Sequence, residues 1–277
     1  MSAPTQAAVA IVDRPPPPPR VWTGQRIAGH ALMAFWIALA IGLVAFLYTS
    51  WDADIFARYA PNYLSGLIVT VQLVLISIVL GALLSAPIAY ARVSKWKALA
   101  WPAYAYVYFF RGTPLLAQTF LIYYGLGQFR PQLEAIGLWT FFREAWYCAI
   151  LAFTLNTAAY QAEILRGAVQ SVPRGQWEGA ESLGLHRFTT FQRIILPQAL
   201  IVALRPYGNE IILLIKGSAI VAIITVYDLM GETRRAYSRT FDFQTYIWAA
   251  VVYLVIVEAL RNVIDWIERR ITKHLKR

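Results

Sequence analysis

Apolar residues fall into six long blocks, at about 28–50, 62–91, 100–127, 145–166, 199–225 and 244–266, with short polar stretches between them. An α-helix rises about 1.5 Å per residue, so about twenty apolar residues bridge the ~30 Å hydrocarbon layer of a bilayer. The pattern therefore predicts an all-α membrane protein with about six transmembrane helices. Gly112 and Pro114 interrupt the third block, which reads as a broken helix. Ahead of the first block, residues 1–27 are polar and contain the run Pro15 to Pro19, which predicts a flexible proline-rich arm with polyproline character. The apolar block behind this arm is long and lacks a clear small-residue cleavage site, so the N-terminus does not read as a secretory signal.

Charge sets the orientation. On the side of the two termini fall Arg14, Arg20, Arg26, Arg92, Lys95, Lys97, Arg166, Arg174, Arg187, Arg193, Arg269, Arg270, Lys273, Lys276 and Arg277. The opposite side holds only Arg58, Arg130, Arg143, Arg234, Arg235 and Arg239. Cytoplasmic loops are enriched in arginine and lysine, so both termini and the long polar loop at about 167–198 are predicted to be cytoplasmic. Composition agrees: of 277 residues 58% are hydrophobic and 14% charged, and the mean hydropathy is +0.50, where a soluble domain carries about a quarter of its residues as charge. The formal charge of +10 sits in short runs between apolar blocks rather than in one polar patch, which argues for membrane lipid and against nucleic acid.

The cytoplasmic loop carries the most specific pattern. It runs Pro173-Arg174-Gly175-Gln176-Trp177-Glu178-Gly179-Ala180-Glu181-Ser182-Leu183-Gly184, then Ile194-Ile195-Leu196-Pro197. Pro173 with Arg174 and Gly175 predicts a turn leading into a short helix. Ala180 and Gly184 are four apart, a spacing that places small residues on one helical face. This stretch resembles the Glu-Ala-Ala loop of binding-protein-dependent ABC importer permeases, whose coupling helix docks on a cytoplasmic ATPase. Gly179 departs from the alanine usual there, at a helix-propensity cost of about 1 kcal/mol. By this resemblance Arg174, Gly175, Gln176, Trp177, Glu178, Gly179, Ala180, Ser182, Leu183 and Gly184 form the ATPase-coupling site.

Further stretches narrow the family. Phe110-Arg111-Gly112-Thr113-Pro114-Leu115-Leu116 with Tyr123-Tyr124-Gly125, and Ala159-Tyr160-Gln161-Ala162-Glu163-Ile164 with Arg166-Gly167-Ala168, are similar to polar amino acid permeases. Asn209-Glu210-Ile211-Ile212-Leu213 and Val226-Tyr227-Asp228-Leu229 resemble the histidine and octopine branch. The resemblance implies a type I ABC importer permease fold over about 60–270, with the coupling loop at 167–198 and an additional peripheral helix at 28–50. It also implies the bacterial cytoplasmic (inner) membrane, with cytoplasmic ABC ATPase subunits, a second permease chain, identical or related, and a periplasmic binding protein as partners. The function implied is import of polar amino acids, basic ones or opines among them, by alternating access. No Gly-x4-Gly-Lys-Ser/Thr stretch occurs, so the chain is not expected to be an enzyme or to bind a cofactor; ATP and Mg belong on the partner ATPase.

Polar residues within apolar blocks are costly and mark candidate sites. Asn156, Tyr160 and Glu163 share a helical face, Arg111 sits beside the Gly112–Pro114 break with Thr113, and Arg205, Asn209 and Lys216 share a face of the fifth block. The predicted substrate path is Arg111, Thr113, Asn156, Tyr160, Glu163, Asn209 and Lys216, with Arg111 meeting a carboxylate and Glu163 an ammonium. A purely structural pairing of Arg111 with Glu163 is the competing reading. His30, His186 and His274 are scattered and give no metal-ligand spacing. Cys148 reads as a small core residue, and Ser218 in its Gly-Ser-Ala setting as close helix packing. An ion-gradient-driven transporter or channel is the alternative function; an intramembrane enzyme lacks paired catalytic groups.

Overall fold

The computed structural model describes residues 22–49 and 51–273. Most of the arm expected over 1–27, and His274, lie outside the described residues. Every described element is helical, and tertiary contacts divide the chain into two units, Met1–Trp51 and Asp52–Arg277. The described part of the first unit is α1, Gly24–Thr49, apolar around its circumference.

The second unit begins with α2, Ala53–Val93, whose N-terminus is capped by the Asp52 carboxylate accepting from the amides of Asp54 and Ile55. Its 41 residues extend roughly 60 Å. Next come α3, Lys97–Gly112, and α4, Leu115–Phe120, which runs into a π-helical turn at Leu121–Gly125. Two short helices, α5 (Arg130–Ala135) and α6 (Trp139–Phe142), lead to α7, Ala145–Ser171. The chain turns through α8, Arg174–Ser182, and α9, Arg187–Thr190, into a π-helical turn and α10, Leu196–Gly217. A 3-10 segment, Ser218–Ile224, precedes α11, Leu229–Thr240, and α12, Gln244–Ile271.

Six transmembrane helices were expected; among the described residues four are long and apolar enough to cross a membrane. They are α1, α2, the continuous stretch Arg187–Ile224, and α12. The third block fails because the Gly112–Pro114 break divides it. Its first part, α3, has 16 residues and reaches about 24 Å, short of the hydrocarbon thickness. The fourth, α7, is long enough at 27 residues, but Thr154, Asn156, Thr157, Gln161, Glu163 and Arg166 dilute its apolar character. It tolerates them because protein surrounds it: Cys148, Ala149, Ala152, Phe153, Ala158, Ala159 and Ala162 are wholly buried.

The core lies where α2, α7 and α10 meet, around Leu73, Val74, Ala149, Ala152, Phe153, Leu214 and Ile215. Gly81 is what lets α2 and α7 touch: a Cβ there would come within 2.5 Å of Thr157 Cγ2. At the other end of α2, α11 is held by its Asp228 cap, whose carboxylate accepts from the Gly231 amide at 2.8 Å, and by the Thr70 hydroxyl, which accepts from the Leu229 amide at 3.1 Å. Two non-glycine residues of the described chain have positive φ, Thr225 (67°) and Phe241 (54°), and they flank α11 on either side. The left-handed conformation costs a side-chain-bearing residue roughly 1–2 kcal/mol.

Candidate functional site

The loop after α7 is built to stand out from the protein. Trp177 packs against the buried cluster formed by Ala168, Val172, Ile195, Ala199 and Ala203, and Ala180 is buried, so α8 is seated by one face only. Arg174, Gly175, Gln176, Glu178, Gly179, Ser182, Leu183 and Gly184 are exposed, Leu183 to 79%. The helix ends in a Schellman closure: Leu185 N–H donates to Ala180 O, Gly184 N–H donates to Glu181 O, and Gly184 takes φ +70°. Ala180 and Gly184 thus do not share an open face, as their spacing suggested: Ala180 points inward and Gly184 terminates the helix. A cavity of ≈ 320 Å³ beside α8 is lined by Trp177, Glu181, Leu185, Arg187 and Thr190.

A second site is an arginine hub on α7. Glu163 accepts from Arg92 Nε at 3.0 Å and from Arg166 Nη2 at 2.7 Å, while Arg111 Nη1 lies 3.8 Å away. The Arg111 guanidinium stands 5.2 Å from the Tyr160 ring and that of Arg92 4.9 Å from the Tyr104 ring. Arg92, Tyr104, Arg111, Tyr160 and Glu163, with Val107, Tyr108 and Gly112, line a cavity of ≈ 400 Å³. Three cations around one carboxylate leave net positive charge, and Glu163 has no unengaged carboxylate oxygen.

Asn156 and Thr113 belong elsewhere. Asn156 Nδ2 donates to Phe110 O at 3.0 Å and Gln118 Oε1 at 2.9 Å, and Gln118 Nε2 donates to Phe110 O, Thr113 O and Thr113 Oγ1. This knot satisfies the carbonyls freed where α3 breaks before Pro114, a necessity in an apolar setting. Glu210 is likewise enclosed, accepting from the Thr157 hydroxyl at 2.8 Å. Gln118 and Tyr104 were not singled out in the sequence, and Arg92 was read only as an orienting charge; Gln118, a polar residue inside an apolar block, carried a signal that could have been read.

Asn209 and Lys216 are exposed on α10 and line a groove of ≈ 490 Å³ with Arg205, Ile212 and Leu213 and, on α12, Arg261 and Asp265. Arg205 Nε donates to Glu268 at 3.0 Å. Lys216 has no ion-pair partner among the described residues. The helices close behind the groove at Gly208, where a Cβ would meet Ile264 Cγ2 at 2.7 Å. The residues predicted as one path therefore divide into three groups: Arg111, Tyr160 and Glu163; Thr113 and Asn156; Asn209 and Lys216. Among the described residues no three His, Cys, Asp or Glu side chains cluster as metal ligands.

Long apolar helices that enclose polar knots and carry a charged groove are the features of a multi-span membrane protein. The chain belongs to the family of binding-protein-dependent transport system inner membrane components, which it matches over residues 77–273. It is 41% identical over 226 residues to the nopaline transport system permease protein NocM of Agrobacterium fabrum, covering 81% of this chain and 94% of that one. It is 35% identical over 213 residues to the arginine ABC transporter permease protein ArtM of Escherichia coli, covering 77% and 96%. The crystal structure of an amino acid ABC transporter with histidines superposes with a TM-score of 0.72 at 35% identity, covering 80% of this chain and 99% of that chain. The chain is thus a multi-pass inner-membrane permease with an all-α ABC-importer fold, and ATP hydrolysis belongs to a separate subunit.

Proposed function

We propose that this permease imports polar amino acids, with basic amino acids and opines as the class suggested by its relatives, along the α10–α12 groove. The supporting observation is the Asn209–Lys216 face, an exposed amide and ammonium on a helix long and apolar enough to span the bilayer. Lipid solvates neither group, so the face turns to water, to a second permease chain or to solute. An exposed ammonium that forms no direct ion pair among the described residues suits a substrate carboxylate. Arg111, Tyr160 and Glu163 act beside this path as a clamp joining α2, α3 and α7, because Glu163 is already satisfied by protein cations.

The importer is completed by two ATPase subunits that bind ATP and Mg, the second permease and the extracytoplasmic binding protein. The exposed face of α8 is the ATPase-coupling surface, with Arg174, Gly175, Gln176, Glu178, Gly179, Ser182, Leu183 and Gly184 toward the partner and Trp177 and Ala180 anchoring it. The arginine and lysine bias supports an orientation with both termini and α8 cytoplasmic and α11 outside. The proline-rich arm and α1 form an accessory segment ahead of the transport fold at 60–270.

The test is Lys216→Met in the assembled transporter, reconstituted with its ATPase and binding protein. ATP-driven uptake should fall at least about tenfold, or roughly 1.4 kcal/mol in the rate-limiting barrier, with membrane insertion unchanged. Uptake at the parent rate would remove the groove from the path.

A further inference from the structure

The far end of the fold carries a surface that the transport groove does not use. α11 presses one face against α2 and α12, burying Leu229, Thr233 and Ala236 completely. Its other face shows Arg234, Arg235, Ser238 and Arg239 and no exposed apolar side chain. A helix turned to lipid would show the opposite pattern. The acids nearby are engaged: Glu232 is buried against Asn62 (3.1 Å) and Arg235 (3.5 Å), Asp228 caps α11, and Asp242 accepts from the Gln244 amide. Arg234 reaches the Ala222 carbonyl, and Arg239 has no ion-pair partner among the described residues. The surface is left basic.

Beside it opens a cavity of ≈ 490 Å³ walled in part by Tyr227, Tyr237 and Tyr246, with the Arg235 guanidinium 5.5 Å from the Tyr227 ring. Phe241, 79% exposed and at φ +54°, lies edge-on to Tyr237 of that wall, with ring centroids 6.3 Å apart. Glycine would relieve that backbone and lose no core contact, so the helix end itself does not account for a phenylalanine here. Arginine and exposed aromatics around a concavity are the composition of protein–protein anchors.

We propose that the outer face of α11, with Phe241 as its anchor and Arg234 and Arg239 as its charges, docks a carboxylate-rich face of the soluble binding protein. The proposal rests on the orientation given above, which places α11 outside.

The experiment uses the complete transporter in proteoliposomes, with ATPase stimulation measured against binding-protein concentration. Phe241→Gly should leave thermal stability equal or higher while raising the half-saturating binding-protein concentration about tenfold. Arg234→Glu with Arg239→Glu should raise it at least as much and remove its increase with added salt. Maximal stimulated rates should stay near the parent value. An unchanged half-saturating concentration in both variants overturns the proposal. So does a response that follows the anionic lipid content of the vesicle rather than the binding protein, which would make a lipid surface the occupant.

Ser238→Cys separates the two readings. Labelling by a membrane-impermeant maleimide from outside, blocked by binding protein, is expected; the native Cys148 is buried. Labelling only from the cytoplasmic side overturns the orientation. Labelling from outside without protection keeps the orientation and removes the docking role.

Discussion

The arginine hub and the α10–α12 groove both place charge among apolar helices, yet they resolve it in opposite ways. Around Glu163 the carboxylate is saturated: two arginines bond it directly, a third stands at 3.8 Å, and tyrosine rings flank two of those arginines. Along the groove, Lys216 and Asn209 are exposed, and Lys216 forms no direct ion pair among the described residues although Asp265 lines the same groove. A saturated cluster holds helices together, since removing one partner strands the others. An unsaturated one is cheap to alter for the fold and available to a visitor. Charge within a spanning region is thus not a sufficient sign of a binding site; the state of its counter-ions is what separates a clamp from a path.

Substitutions can break or sharpen this contrast. Glu163→Ala leaves three guanidinium groups around a lost carboxylate and should destabilise the protein by about 3–5 kcal/mol, measured by thermal unfolding in detergent. A loss below about 1 kcal/mol would remove the distinction between the two regions. Asn156→Leu strips a donor from Phe110 O and from Gln118 and should cost about 1–3 kcal/mol, with the half-saturating substrate concentration unchanged. A large rise in that concentration would return Asn156 to the transport path. Lys216→Met, the groove's counterpart, should alter stability by no more than about 0.5 kcal/mol while uptake falls. The smallest effect belongs to the α8 closure. Gly184→Ala should loosen it by about 1 kcal/mol, seen as roughly fivefold faster hydrogen exchange at the Leu185 amide.

Much of this was legible in the sequence where a signal is local. The loop from Pro173 to Pro197 announced a short helix, and Gly112-Thr113-Pro114 announced a break, because proline and glycine act on their own turn of chain. Family membership followed from the same stretches. The number of spans did not follow, because an apolar block with scattered amides and hydroxyls reads alike whether it meets lipid or is wrapped by neighbours, as α7 is. Pairings across the chain were also out of reach: Arg92 and Glu163 are 71 positions apart, and only the close approach of α2 and α7 over Gly81 joins them. Ala180 and Gly184 show the limit of spacing arguments. Four residues apart implies one face only while the helix continues, and here it stops at Leu183. Phe241 gave no warning, since a helix-ending glycine is expected where it sits.

One geometric property of α2 ties the two ends of the molecule together. Asn62, near its start, holds the Glu232 side chain of α11, and Arg92, near its finish, holds Glu163. Thirty residues of continuous helix, roughly 45 Å, lie between these grips, with Pro87 removing one bond from its ladder five residues before Arg92. A helix of that length is a lever. Tilting it by about 5° about one grip sweeps the other through roughly 4 Å, longer than the ion pair it carries, so a swing of α2 drags α7 along, lets go of it, or bends at Pro87.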